Sequence, residues 1–179
     1  MQKEMPQKGD LVAVIKTNQG EMYFRLFDKL ITEGVKNFTE LARAGKYKDV
    51  PFHRIIKDFM IQGGDFANKN GTGGHSHKGP GTTIGDQYHP NLSHLRGALS
   101  YAKTSLPNSI GSQFFIVHPA KGVPFLDHPT DGGPAEGYTV FGQMYQGFEV
   151  LDAIAGTKTK ANDNPVEPMT IIDIEIANF

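Results

Sequence analysis

Apolar and polar residues follow one another along this chain with two different periods, and the switches between them mark out the elements. Leu11–Thr17 and Glu21–Phe27 are β-rich runs on either side of Asn18-Gln19-Gly20. In the second run Met22, Phe24 and Leu26 alternate with Glu21, Tyr23 and Arg25, the pattern of an antiparallel hairpin. Over Thr32–Ala44 the period lengthens: Val35, Phe38, Leu41 and Ala42 share one helical face, with Thr32 placed to cap the start and Gly45 to end it. Strands return at Pro51–Ile56, Phe59–Gly63, Arg96–Ala102, Gln113–His118 and Tyr138–Gln143. A second amphipathic helix presents Phe148, Leu151, Ile154 and Ala155 and stops at Gly156. Met169–Ala177 then alternates Ile172, Ile174 and Ile176 with Asp173 and Glu175, a strand with one wet face.

Between these runs, Asn68–Pro90 is dense in Gly, Thr, His and Asp with almost no apolar period, which reads as a long functional surface loop. Lys103–Ser112 and Pro119–Gly137 are further loops. About eight strands and two short helices, in a chain that begins and ends with strands, predict a mainly β fold. The expected architecture is an antiparallel barrel, closed or nearly so, whose open ends the helices cover. A chain of 179 residues fits one domain, 1–179, with the polar residues 1–9 as a loose N-terminal extension.

Composition narrows the function classes. Gly 21 and Pro 11 favour strands joined by tight turns over a helix bundle, and 38% hydrophobic residues with 12 Phe argue against disorder. A net charge of −1 supplies no drive toward nucleic acid or anionic membrane. No apolar stretch has membrane-spanning length and Met1–Asp10 contains no apolar signal region, so a cytoplasmic protein is expected, with a processed secreted form as the alternative. With Cys 0, disulfides, thiolate zinc sites and a cysteine nucleophile are excluded.

Several local patterns carry little chemistry. Gly71-Thr72-Gly73-Gly74 is not followed by the Gly-Lys-Ser/Thr of a phosphate loop. His75 and His77, even with His89 or His94, lack the helical His pair of a zinc site, so no metal is expected. Ser112 beside Gly111 lacks the second glycine of a nucleophile elbow. More informative is Arg54 inside the apolar run Phe52-His53-Arg54-Ile55-Ile56, with Gln62 in Phe59-Met60-Ile61-Gln62-Gly63-Gly64-Asp65-Phe66. Arg54 either pairs with Asp65 or Asp58 at a barrel rim or stands as a fixed cation beside an apolar pocket. Gly111-Ser112-Gln113-Phe114-Phe115-Ile116-Val117 repeats the theme of an amide among aromatics, although core packing is the default for Phe115 alone.

These stretches, with Val140-Phe141-Gly142 later, resemble the signature segments of the cyclophilins, peptidyl-prolyl cis-trans isomerases, in order from about Asp10 to Ile176. The resemblance implies an eight-stranded barrel capped by two helices, and an isomerase that accelerates X-Pro rotation during protein folding without a cofactor. It implies Arg54 as the catalytic arginine, donating to the prolyl nitrogen, with Gln62 holding the substrate backbone. Phe59, Met60, Phe115 and Leu126 are implied to line a proline pocket, and Ala102 and Gln113 to flank an extended peptide. His53, Lys103, Phe125 and Tyr138 complete the implied substrate-binding set. Implied partners are proline-containing peptides and partly folded proteins, in a chaperone-like role, with the chain a monomer that uses neither nucleic acid nor membrane.

The chain departs from the best-known eukaryotic pattern. Lys103 stands for Asn, Phe125 for a pocket Trp, Tyr138 for His, and Lys57-Asp58 for a Pro-Gly turn, while His128–Gly137 resembles an insertion. Phe125 has no indole N–H, so cyclosporin binding is expected to be weakened. Two other classes remain: a proline-peptide binding or chaperone module without turnover, and a barrel holding a small apolar ligand, which bulky strand residues disfavour by filling the interior.

Overall fold

The computed structural model describes residues 1–129 and 137–179. Its element order is β1 (Leu11–Thr17), β2 (Gly20–Leu26), α1 (Thr32–Arg43), β3 (Val50–Pro51), β4 (Arg54–Ile56), β5 (Met60–Gly63), β6 (Ala98–Tyr101), β7 (Phe114–Val117), a 3-10 turn at Pro124–Leu126, β8 (Val140–Gln146), α2 (Phe148–Ala155) and β9 (Thr170–Asn178). All strand pairs are antiparallel, in the order β3-β9-β1-β2-β8-β6-β7-β5-β4.

β3 and β4 stand at opposite ends of that order yet are separated in the chain by only Phe52 and His53. One continuous segment therefore serves both edges, and the sheet must curl round until they meet. Phe52 N–H still bonds Met169 O on the β9 side, while Ile55 N–H has turned to Asp163 O. This is why nine strands are found where eight are expected: the run Pro51–Ile56 changes partner at Phe52–His53 and is counted twice. Curling removes the exposed edges that an open sheet would carry.

The interior is filled. Ala13, Ile15, Met22, Phe24, Ile55, Ile61, Leu99, Ile116 and Phe141 are buried, leaving no room for a barrel ligand. α1 covers one end with Val35, Phe38, Leu41 and Ala42, as its period requires, and the Phe38 ring packs 5.1 to 5.5 Å from Phe141, Tyr47 and Phe114. Gly45 follows the helix at φ +70°, as expected, but Thr32 lies inside the first turn and gives its hydroxyl to Asp28 O instead of capping. α2 buries Val150, Leu151, Ile154 and Ala155, leaving Phe148 half-buried under the Arg96 guanidinium. Arg96 itself precedes its strand, and the strand expected from Tyr138 begins at Val140.

The start of the chain differs from expectation. Gln2 is buried, its amide donates to Ser93 O and Gln143 Oε1, and its carbonyl accepts from Ser93 N–H. A single amide wedged between the 93–96 loop and β8 gives no periodic signal, so the docking is invisible to pattern reading. The expected insertion at 128–137 lies mostly outside the described residues.

Candidate active site

Strand register builds the site. Arg54 of β4 faces Gln62 of β5, Gln62 faces Phe115 of β7, and Phe115 faces Ser100 of β6. The period-2 pleat puts this row on one face of the wall and the next row, Ile55, Ile61, Ile116 and Leu99, on the other. The second row is fully buried in the barrel, so the first lies on the outside. There a cavity of about 180 Å³ is lined by Arg54, Phe59, Met60, Gln62, Ala102, Lys103, Phe115, Leu126 and Tyr138. Nine of the residues singled out by sequence thus converge, from β4, β5, β7, the 3-10 turn and the segments flanking β6 and β8.

Its walls are mostly carbon, with polar groups at one side. Gln62 Nε2 donates to Gln113 Oε1 at 3.1 Å, and Gln113 Nε2 donates in turn to Gly71 O and Gly73 O, each at 2.9 Å. This relay fixes both amides, and Gln62 Oε1 accepts no hydrogen bond among the described residues. Gln113 does not line the first cavity; it lines a second of about 270 Å³ that shares Gln62, Ala102 and Lys103 with it and runs beneath Gly71–Gly74 and Thr82–Thr83. The two cavities form one groove with a common wall.

Two expected contact residues sit elsewhere. His53 is buried behind the wall, its ring against the Gly71 backbone and its Nδ1 without a hydrogen-bond partner among the described residues. Burial holds its pKa below the usual value, with the Arg54 charge adding to the effect against the opposing pull of Asp65, so the ring is kept neutral. Phe125 is 75% exposed, outside the residues that line the cavity, with its ring 6.0 Å from that of Phe59.

The two cations of the groove differ. Lys103 Nζ lies 3.0 Å from Asp86 Oδ2, with both side chains nearly buried, and sits over the Tyr138 ring. Arg54 is exposed and makes no ion pair among the described residues. The rim-pairing reading of Arg54 is overturned because both candidate partners are engaged otherwise. Asp58 lies beside His118. Asp65, fully buried, accepts backbone N–H groups from Ala67, Asn68, Asn70, Gly71 and Gly73 at 2.9 to 3.2 Å. Burial alone would raise the Asp65 pKa, but the N–H groups of Asn68, Gly73, Gly71 and Asn70 outweigh it and hold the carboxyl below its ordinary value.

Sequence reading missed this carboxylate nest, although an Asp preceding a run of Asn and Gly is its signal. It also missed the support behind Phe115. His94, buried, stacks on that ring at 5.8 Å, with Nδ1 2.6 Å from Asp127 Oδ1 and Nε2 2.9 Å from Ser100 Oγ. Ser100 is fully buried and also bonds Thr139 O, so this Ser-His-Asp set offers no accessible nucleophile. Ser112 is likewise engaged, its hydroxyl donating to Gly64 O. His75 and His77 bond Ser76 O and Asn37 Oδ1 respectively. No helix of the described residues is long and apolar enough to cross a membrane.

Comparison with known proteins gives this geometry its context. Residues 12–176 match the family described as cyclophilin type peptidyl-prolyl cis-trans isomerase/CLD. A protein of Staphylococcus aureus (strain COL), provisionally named a peptidyl-prolyl cis-trans isomerase, is 40% identical over 95% of this chain and 93% of its own length. A crystal structure of a Cryptosporidium parvum cyclophilin type peptidyl-prolyl cis-trans isomerase superposes with a TM-score of 0.84 at 34% identity, covering 95% of this chain and 99% of that one. A second crystal structure of that protein, in the presence of the dipeptide Ala-Pro, gives 0.83 at 35% identity, covering 94% and 99%. The barrel, its outward groove and these similarities agree: the chain belongs to the cyclophilin-type peptidyl-prolyl cis-trans isomerases.

Proposed function

We propose that Arg54 drives the isomerisation by donating a hydrogen bond to the prolyl nitrogen as the X-Pro bond twists, while the cavity formed by Phe59, Met60, Phe115 and Leu126 holds the ring. The barrier to rotation, about 18–20 kcal/mol, comes from donation of the nitrogen lone pair into the carbonyl. In the planar ground state that lone pair is delocalised and a poor acceptor. In the twisted state it localises, so a guanidinium poised there stabilises mainly the transition state. The observation that carries this reading is that Arg54, alone among the groove's cations in having no carboxylate partner among the described residues, shares a cross-strand row with Gln62 and Phe115.

Gln62, held by Gln113, presents its carbonyl oxygen to the substrate backbone and prevents the peptide from turning as a rigid body. Lys103, neutralised by Asp86, and Tyr138 shape the wall, and Ala102 flanks the chain. No bond to the protein forms, so the reaction needs no nucleophile. Cis and trans X-Pro differ by only about 0.5–1 kcal/mol, so both forms are substrates and products. The substrate class proposed is proline-containing peptide and partly folded protein, as with the Ala-Pro present with the Cryptosporidium protein. A cytoplasmic monomer in which residues 1–179 act as one domain, with weakened cyclosporin binding at Phe125, completes the proposal.

Exchange of an Ala-Pro peptide, followed by NMR with the wild type and with Arg54→Ala, tests it. Catalysed exchange is expected in the wild type, and a loss of about 100-fold in the variant. A variant that folds and still exchanges at the wild-type rate contradicts it.

A further inference from the structure

The turn that brings Phe59 to the cavity is held from behind by a histidine that has no part in the isomerisation step. Lys57, Asp58 and Phe59 connect β4 to β5, and Asp58 sits at φ +60°, a left-handed conformation that L residues adopt at some cost. Lys57-Asp58 brings to this turn neither the stiffness of Pro nor the freedom of Gly. His118, immediately after β7, supplies the restraint. Its Nδ1 accepts the Asp58 N–H at 2.9 Å, its Nε2 lies 3.1 Å from Asp152 Oδ1 on α2, and its own N–H donates to Phe59 O at 3.0 Å. His118 is 8% exposed.

With Nδ1 accepting, Nε2 carries the ring proton toward Asp152. The Asp58 carboxylate lies 3.8 Å from Nδ1, and the Arg96 guanidinium bonds both Asp152 and the His118 carbonyl, so the ring bridges the turn to a charged pair at the edge of α2.

We propose that His118 is a positioning residue for the isomerase: its ring ties the Lys57–Phe59 turn to α2 and so fixes the Phe59 wall of the prolyl cavity. The proposal rests on the assignment of the cavity made above. The quantities to measure are KM and kcat for an Ala-Pro peptide, with the Asp58 amide resonance, in the wild type, His118→Asn and His118→Phe. His118→Phe, which offers the Asp58 N–H no acceptor, should raise KM several-fold and shift the Asp58 amide, with kcat nearly constant. His118→Asn, whose Oδ1 can accept the same N–H, should keep KM and the Asp58 amide near their wild-type values.

A folded His118→Phe that keeps the wild-type KM, or a His118→Asn that raises KM as far as His118→Phe does, overturns the proposal; where His118→Phe fails to fold, His118→Ala takes its place with the same outcomes. Phe59→Ala separates the proposal from the reading beneath it. If Phe59→Ala leaves KM unchanged, the cavity assignment fails and the proposal falls with it. If Phe59→Ala raises KM and a folded His118→Phe does not, only the role of His118 is overturned.

Discussion

The wall formed by β4, β5, β7 and β6 has two faces built from the same few residues, and they serve opposite ends. Ile55, Ile61, Ile116 and Leu99 point into the barrel, buried and uniformly apolar. Arg54, Gln62, Phe115 and Ser100, one residue away on each strand, face outward and mix a guanidinium, an amide, a ring and a hydroxyl. The pleat alone separates them. On the proposed reading the inner row sets stability and the outer row sets chemistry, so substitutions one position apart should fail in different ways.

The largest effect expected from breaking that separation is on the inner face. Ile61→Ala, at a fully buried position, should lower unfolding free energy by about 2–5 kcal/mol, as urea denaturation reads it, while the folded fraction keeps its turnover. A loss of turnover in the folded fraction would mean the two faces are not independent. The next concerns the loop that holds Gln113. Asp65→Asn replaces an acceptor-only carboxylate facing five N–H groups and should cost about 2–3 kcal/mol at neutral pH. Because the folded-state pKa of Asp65 lies below its unfolded value, this contribution is present in full above the unfolded value, about 3.9, and is lost as pH falls through the folded one. The stability gap between wild type and variant should therefore narrow on acidification below about pH 4. A gap independent of pH would remove the carboxylate from the account. The smallest effect is at the mouth of the groove, where Phe125→Trp restores an indole N–H beside Phe59 and should tighten cyclosporin about 3- to 10-fold by titration calorimetry, one hydrogen bond's worth. Unchanged affinity would place the weakness elsewhere.

Much of this was legible in the residue pattern for local reasons. The hairpin, both helices and the last strand follow from period alone, and Arg54, Gln62 and Gln113 stand out because each interrupts the composition around it, whereas Phe115 reads as core. What was not legible depends on competition between distant groups. Nothing local says that backbone N–H groups would claim Asp65 before Arg54 could, that Gln113 would serve Gln62 and the glycine loop at once, or that the strand at Pro51–Ile56 would change partner at Phe52–His53. The resemblance places His53 in the groove, but the alternation that turns Arg54 outward turns His53 to the far side of the wall. Gln2, buried by a single amide contact set, carries no pattern at all.

The most direct test of the outer face is to measure binding and exchange separately in Arg54→Lys, which keeps the charge and loses the planar fork. With an Ala-Pro peptide at saturation, the interconversion rate of the bound peptide should fall at least about tenfold, while Kd changes by no more than about threefold, because the interaction removed belongs to the twisted state. A variant that loses affinity in proportion to rate, or loses neither, would show that Arg54 serves the planar substrate or none, and would contradict the account.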